Sequence, residues 1–328
     1  MSLIWSVRPL PADLRAKVDG KHEIVVATAL TDLPAECFAK VEASIAGSLV
    51  PYDAALFARM PKLRVVSRIG IGFDNIVVPD ASKAGVAVCN TPDGPTAPTA
   101  EIAIMLMIAA ARLFTRADKL MRGRRKDQGP EIFAGLDGMQ LRGRTLGLVG
   151  FGRIGRAVGT IARAMGMEVV AYDPVAKPED AAKIGARLVP TVDEVLRAGD
   201  VVSVHVPGSP ENRRMIDARA LGLMKKGAVF VNAARGALVD EAALLNALKS
   251  GHLLGAGLDV FDGEPVDPAH PLLALENVVA LPHIGGGTVT SREAMWAGAV
   301  ANAVDVLAGK RPAGLLNPDV WPRPLTRG

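Results

Sequence analysis

The chain has 328 residues, of which 49% are hydrophobic and 4% aromatic, and its 38 basic and 34 acidic side chains leave a net charge of +4. That length exceeds what one hydrophobic core usually organises, so two domains are expected, and the apolar content excludes a disordered chain. The charge is modest and spread along the chain, which argues against nucleic acid as a partner and would not repel anionic ligands.

Cys37 and Cys89 are the only cysteines. They have no metal-ligand or C-x-x-C spacing and cannot build a disulfide framework, so a cytoplasmic protein without a metal is expected. The start, MSLIWSVRP, has no basic segment followed by a long apolar one, and the longest apolar run, Ile102 to Ala111, is short for a bilayer. Neither export nor a membrane span is expected.

In chain order, Glu23 to Ala29 and Leu63 to Ile69 read as strands, with weak helical segments around Pro34 to Val41 and Asp53 to Ala58. RIGIGFDNI (Arg68 to Ile76) places Gly70 and Gly72 in a loop after a strand, where backbone N–H groups could meet an anion. A turn that simply needs flexible residues would look the same. Val77 to Gly85 reads as a short helix and Val86 to Cys89 as a strand; TPDGPTAPT (Thr91 to Thr99) then concentrates proline and threonine and marks a boundary. Thr99 is placed to cap a long apolar helix running to about Met121. The cluster Arg122, Arg124, Arg125 and Lys126 has no interleaved aromatics and reads as a solvated helix end or a subunit contact.

Thr145 to Pro174, TLGLVGFGRIGRAVGTIARAMGMEVVAYDP, carries the strongest signal. An apolar strand precedes Gly150, Gly152 and Gly155 at G-x-G-x-x-G spacing, and a helix with Ile154, Val158, Ile161 and Met165 on one face follows. Gly150 permits the tight turn, Gly152 lets a pyrophosphate approach bare backbone, and Gly155 lets the helix pack against the sheet. The helix N-terminus adds unpaired N–H groups and a positive dipole end. The next strand ends at Asp173, eighteen residues after Gly155. A carboxylate there accepts from the adenosine ribose and repels a 2′-phosphate, so NAD is expected over NADP.

Strand–helix alternation then continues, with strands near Arg187 to Val189, Val201 to His205, Ala228 to Asn232, Gly255 to Asp259 and Val278 to Leu281. Helical segments at Val192 to Arg197, Asp217 to Met224 and Asp240 to Lys249 lie between them, and Thr290 to Ala308 forms a last long helix. The fold class expected is α/β: a Rossmann-type doubly wound parallel sheet plus a smaller, discontinuous α/β domain. Residues 1–98 and 290–328 would form the smaller domain and residues 99–289 the dinucleotide-binding one.

Ligands of such sheets bind beyond the carboxyl ends of the strands. There lie His205-Val206-Pro207, Asn232 to Gly236 with Arg235, Asp259, and His283-Ile284-Gly285-Gly286. His22, His252 and His270 sit in polar or loop contexts; His205 and His283 come at strand ends, and only His283 is followed by a glycine run that leaves space for a substrate. Arg235 offers a planar fork for a carboxylate or carbonyl, and Glu264 near His283 would orient the imidazole and favour its protonated form.

GLVGFGRIG…YDP, HVPGSPEN, VNAARGALVD, GLDVFDGEP, LPHIGG and RIGIGFDN together resemble the D-isomer-specific 2-hydroxyacid dehydrogenases over nearly the whole chain. The resemblance implies a flavodoxin-like first domain and a catalytic trio of Arg235, Glu264 and His283. It also implies substrate binding by Gly70, Ile71, Gly72 and Arg235. Cofactor contacts would come from Gly150, Gly152, Arg153, Ile154, Gly155, Asp173, Val206, Pro207, Asn212, Ala233, Ala234, Asp259, Gly285 and Gly286. A homodimer built around the Rossmann unit is implied as well. No regulatory domain is expected beyond Gly328, an expectation that argues against the longer, serine-regulated phosphoglycerate dehydrogenases.

The activity expected is NAD(H)-dependent reduction of a small 2-oxo acid to the D-2-hydroxy acid, and its reverse, with His283 as acid and base. Glyoxylate and hydroxypyruvate are the default substrates. The segments Thr91 to Thr99 and Gly285 to Thr290 are expected hinges of a closing cleft. Formate oxidation is disfavoured by Glu264, because formate dehydrogenases resembling this chain carry glutamine there. Phosphite oxidation on the same fold is one alternative. An NADH-sensing scaffold like the related corepressors is the other; those carry a tryptophan soon after the histidine, where this chain has Gly285 to Gly287.

Overall fold

The computed structural model describes residues 1–123, 129 and 134–322. Arg124, Arg125 and Lys126 of the basic cluster lie outside the described residues. The chain divides into two compact units, residues 1–95 with 286–328 and residues 96–285.

The first unit is built on five parallel strands, β1 (Ser2–Ser6), β2 (His22–Val26), β3 (Val41–Ala46), β4 (Val65–Arg68) and β5 (Ala87–Cys89), in the order β2-β1-β3-β4-β5. Side chains alternate across this sheet: Leu3 and Trp5 enter one core with Val66 and Val88, while Ile4 enters the other with Ile45, Val65 and Ala87. Helices Ala12–Val18, Ala54–Arg59, Val78–Lys83 and the returning Val289–Leu307 complete the unit. Ala299, Val300, Ala303 and Val306 of the returning helix lie in the second core. The returning chain is also pinned to β5, where Val88 N–H donates to Asn317 Oδ1 at 2.8 Å.

Two strands, β1 and β3, and the helix Ala12–Val18 are absent from the sequence reading. VEASIA is poor in strong strand formers, and the helix expected over Pro34 to Val41 is only a 3₁₀ turn at Ala35–Cys37, after which β3 begins. Burial on both faces of a parallel sheet overrides the weak local propensity.

The second unit holds seven parallel strands, β6 (Thr145–Val149), β7 (Glu168–Tyr172), β8 (Arg187–Leu188), β9 (Val201–Val204), β10 (Ala228–Asn232), β11 (Leu253–Leu258) and β12 (Val278–Ala280). Their order is β12-β11-β10-β9-β6-β7-β8, so the direction of progression reverses between β6 and β9. That reversal is the topological switch point, and the glycine loop leaves β6 there. Leu146, Leu148, Val229 and Val231 face one core; Val149, Val202, Val204 and Phe230 face the other.

The long linker helix differs from expectation at both ends. It starts at Asp93 and stops at Ala111; a separate helix, Phe114–Gly123, follows Leu113, which has φ +53°. Pro95 falls in the first turn, whose N–H groups have no intrahelical acceptor, and Pro98 sits inside the helix. Thr99 is therefore buried within the helix and does not cap it. At the other end Met139 N–H takes the Ala111 carbonyl at 2.7 Å. Asp93–Ala111 is long and apolar enough, by length and composition, to cross a membrane, but more than half of it is buried inside the fold. Leu106 packs so close to Gly257 that a Cβ built there would lie 2.7 Å from that of Leu106.

The units divide at Pro95/Thr96 and Gly285/Gly286, three or four residues before the positions expected from sequence, and Gly286 falls in the first unit.

Candidate active site

The glycine loop places each residue according to a steric need. Gly150 has φ +98°, and a Cβ on it would lie 2.6 Å from the His205 carbonyl oxygen. A Cβ on Gly155 would run into the Gly150 carbonyl, while one on Gly152 would meet nothing within 4 Å. Gly150 and Gly155 thus serve the packing of this unit, and Gly152 leaves a space that packing does not require. Gly152 is also the N-cap of the Arg153–Ala164 helix, and no side chain caps that end. An open backbone shelf before uncapped helical N–H groups fits a dinucleotide pyrophosphate.

Asp173 follows β7 and is tied to this loop: its Oδ2 accepts from Phe151 N–H at 2.9 Å and its Oδ1 from Val175 N–H at 3.0 Å. Val206 lines the other side of the loop, with its Cγ1 3.0 Å from where a Gly150 Cβ would be. Asn212 donates to the Pro207 carbonyl at 3.1 Å, bracing the segment after β9.

His205 directly follows β9 and His283 lies three residues past β12, and their surroundings differ. His205 Nε2 lies 2.9 Å from Ser203 Oγ, and burial pushes its imidazole down to about 4. It is a neutral structural ring. His283 is exposed, and its Nδ1 lies 2.6 Å from Glu264 Oε2. His252 and His270 find partners nearby in the Leu221 carbonyl and Glu241.

The backbone beneath His283 is held deliberately. His283 has φ +55°, which costs a non-glycine residue about 1 kcal/mol or more. Three hydrogen bonds to Asp259 offset this. His283 N–H donates to the Asp259 carbonyl at 2.7 Å, and Ile284 and Gly285 N–H donate to its carboxylate oxygens at 2.8 Å each. Burial raises the Asp259 pKa, with the two N–H donors acting in the opposite direction. A Cβ on Gly285 would crowd Asp259 Oδ2 at 2.9 Å, so this clamp needs glycine.

Arg235 leaves β10 through a turn braced by Asn232, whose Nδ2 donates to the Arg235 carbonyl at 2.8 Å and whose Oδ1 accepts from Ala234 N–H at 3.0 Å. The Arg235 Nη1 donates to the Ala234 carbonyl at 2.7 Å. The next residue, Gly236, is pressed against the Phe261–Asp262 backbone so closely that no Cβ would fit. The turn carrying Arg235 therefore abuts the loop that leads to Glu264.

In the first unit, Gly70 has φ +125°, and its N–H donates to Thr91 Oγ1 at 2.7 Å. Asn90 Nδ2 donates to the Ile71 carbonyl at 2.8 Å. With Gly70 N–H so used, the donors the loop can offer an anion are those of Ile71 and Gly72. Sequence reasoning missed the bracing roles of Asn232, Thr91 and Asn90, whose residue types recur in every loop and gave no distinguishing signal.

A parallel sheet with a glycine-rich switch-point loop, and an exposed histidine–carboxylate pair at strand ends of the same unit, define a dinucleotide-dependent oxidoreductase. Residues 104–285 match the family model described as "D-isomer specific 2-hydroxyacid dehydrogenase, NAD binding domain". A glyoxylate reductase of Korarchaeum cryptofilum is 42% identical over 272 residues, 82% of this chain and 81% of the relative. One of Thermococcus kodakarensis is 37% identical over 326 residues, covering 97% and 96%. Among solved structures, an NADPH-dependent glyoxylate/hydroxypyruvate reductase from Sinorhizobium meliloti, in complex with NADP and malonate, superposes with a TM-score of 0.84 at 30% identity, covering 96% of each chain. The chain belongs to the D-isomer-specific 2-hydroxyacid dehydrogenase family, oxidoreductases of small 2-oxo and 2-hydroxy acids that use NAD(P).

Proposed function

We propose that this protein reduces a small 2-oxo acid to the D-2-hydroxy acid, preferring NADH, with glyoxylate or hydroxypyruvate as its simplest substrates. The observation that carries the reading is the 2.6 Å contact between Glu264 and His283, on a backbone clamped by Asp259. The dinucleotide, when bound, supplies the hydride. Gly150, Gly152, Arg153, Ile154 and Gly155 hold its phosphates, and Asp173 excludes a 2′-phosphate. Val206, Pro207, Asn212, Ala233, Ala234, Asp259, Gly285 and Gly286 complete its surroundings.

His283 gives a proton from Nε2 to the carbonyl oxygen as the alcohol forms, and takes it back in the reverse direction. Glu264 accepts from Nδ1, which fixes the ring and offsets the charge on the imidazolium. Arg235 pairs with the substrate's carboxylate or carbonyl oxygen. The Gly70–Gly72 loop offers the Ile71 and Gly72 N–H groups to the carboxylate, while Gly70, its own N–H held by Thr91, shapes the turn. The first unit, residues 1–95 and 286–328, thus serves chiefly the acid, and the second, residues 96–285, holds most of the cofactor's contacts together with Arg235, Glu264 and His283.

We further assign the protein to the cytoplasm as a homodimer without nucleic-acid or membrane partners. Its two unpaired cysteines support a reducing compartment. The exposed apolar Met105, Ile108, Phe114 and Met121, on consecutive helices of the second unit, support a subunit contact there. The test is oxidation of NADH and NADPH against glyoxylate, hydroxypyruvate, pyruvate and phenylpyruvate, with phosphite as the converse assay with NAD. Turnover of any oxo acid sustains the reading. Phosphite oxidation alone, or NADH binding without turnover, overturns it.

A further inference from the structure

A cavity of about 260 Å³ opens in the first unit beside the Gly70–Gly72 loop. Its wall carries three arginines, Arg8, Arg68 and Arg292, and no carboxylate. Arg8 follows β1, Arg68 ends β4, and Arg292 stands in the first turn of the Val289–Leu307 helix, so three separate elements converge their cationic ends on one space. Arg68 donates to the Ile69 carbonyl. Arg8 and Arg292 form no ion pair among the described residues, although this chain has nearly as many acidic as basic side chains. Val7, Val50, Met295 and Trp296 supply an apolar lining between them.

The cavity adjoins the loop directly. A Cβ built on Gly70 would lie 3.4 Å from Arg68 Nη1 and 3.7 Å from Met295 Sδ, both lining groups. A 2-oxo acid anchored by its carboxylate on the Ile71 and Gly72 N–H groups would direct its side chain along an apolar wall toward two unpaired guanidiniums. Glyoxylate, with no side chain, would leave them unused. Arg8 and Arg292 are both exposed, so water screens them when the cavity holds no ligand, and a carboxylate or phosphate entering it would accept from their planar forks.

We infer that the Arg8–Arg292 cavity is a subsite for a second anionic group, so that the preferred substrates are 2-oxo acids ending in a carboxylate or a phosphate. This rests on the 2-oxo acid reductase reading above. Fork-shaped guanidiniums suit either group, whereas a neutral aliphatic tail would gain only the contacts with Val7, Met295 and Trp296.

The experiment compares kcat/KM within two pairs of substrates: 2-oxoglutarate against 2-oxohexanoate, and 3-phosphooxypyruvate against hydroxypyruvate. The dianion should win by about tenfold or more in at least one pair, and which pair responds tells carboxylate from phosphate. In Arg8→Gln and Arg292→Gln, checked for unchanged melting temperature, the dianion-to-neutral ratio should fall by about ten- to a hundredfold, chiefly through KM. Equal rates within both pairs, or ratios untouched by both substitutions, overturn the subsite while leaving the reductase reading intact. If no oxo acid turns over, the reductase reading fails separately. The subsite is then judged by titrating tryptophan fluorescence with 2-oxoglutarate and 3-phosphooxypyruvate, with Trp296→Phe as control. A saturable change weakened in Arg292→Gln sustains it, and no change with either ligand overturns it.

Discussion

Glu264 holds His283 from one side only: its Oε2 lies 2.6 Å from His283 Nδ1, while its Oε1 accepts from Phe261 N–H at 3.1 Å. The carboxylate is thus itself fixed by backbone before it fixes the ring, and Nε2 is left pointing away as the exchangeable position. Replacing His283 with alanine should lower kcat by about a hundred- to ten-thousandfold, the usual worth of a positioned acid–base group, with NADH affinity within a fewfold of wild type. Glu264→Gln keeps an acceptor without charge and should lose less than Glu264→Ala, which removes both. Steady-state rates beside a direct NADH titration check this; wild-type turnover in His283→Ala would remove the histidine from the chemistry.

Two glycines of one motif should fail in different ways. Gly155→Ala forces a methyl into the Gly150 carbonyl, so it should destabilise the protein by about 2 kcal/mol or more and weaken cofactor binding as a consequence. Gly152→Ala meets nothing within 4 Å and should melt like wild type, within about 0.5 kcal/mol, while NADH affinity drops at least about tenfold. Denaturant curves and NADH titrations on the pair separate a packing glycine from a ligand glycine. If Gly152→Ala binds NADH normally, the pyrophosphate does not lie on that backbone.

The cofactor half of the molecule was legible because its chemistry is local. A strand, three glycines, a helix and Asp173 lie within thirty residues, and their spacing alone dictates the turn. His283 and Glu264 could be nominated as strand-end polar residues, since strand ends of a doubly wound sheet converge whatever the sequence distance. What could not be read is what depends on tertiary packing. β3 was hidden because VEASIA forms a strand only when buried between neighbours, and the helix start at Asp93 was hidden by Pro95 and Pro98. The Arg8–Arg292 cavity was unreadable for a related reason: its walls come from residues nearly three hundred positions apart.

Asp173 has one observed task and one proposed task, and substitution can separate them. Its carboxylate braces the glycine loop through Phe151 N–H, and its negative charge is the reason to expect NADH over NADPH. Asp173→Asn keeps an acceptor for Phe151 but loses the charge, so the NADH-to-NADPH ratio of kcat/KM should fall by about tenfold or more with little change in melting temperature. Asp173→Ala should lose the ratio and also raise KM for both cofactors, because the loop is released. Ratios measured with one oxo acid across the three proteins decide it; a wild type already indifferent to the 2′-phosphate would show that the brace is the only task.

His205 should make stability depend on pH in a defined window. Its folded-state value is pushed down to about 4 by burial, against about 6.5 in the unfolded chain. Between those values the unfolded chain takes up a proton that the folded ring refuses, so the unfolded state binds more protons and stability rises with pH. The contribution is complete above about pH 6.5 and is lost as pH falls toward about 4, amounting to about 3 kcal/mol at most. Urea unfolding at several pH values across that window should show a steeper loss on acidification in the wild type than in His205→Asn, which has no ring to protonate. Asp259, raised by burial, contributes with the opposite sign but is common to both proteins and cancels in the difference. Parallel pH dependences for the two proteins would mean that His205 accepts its proton without leaving the fold.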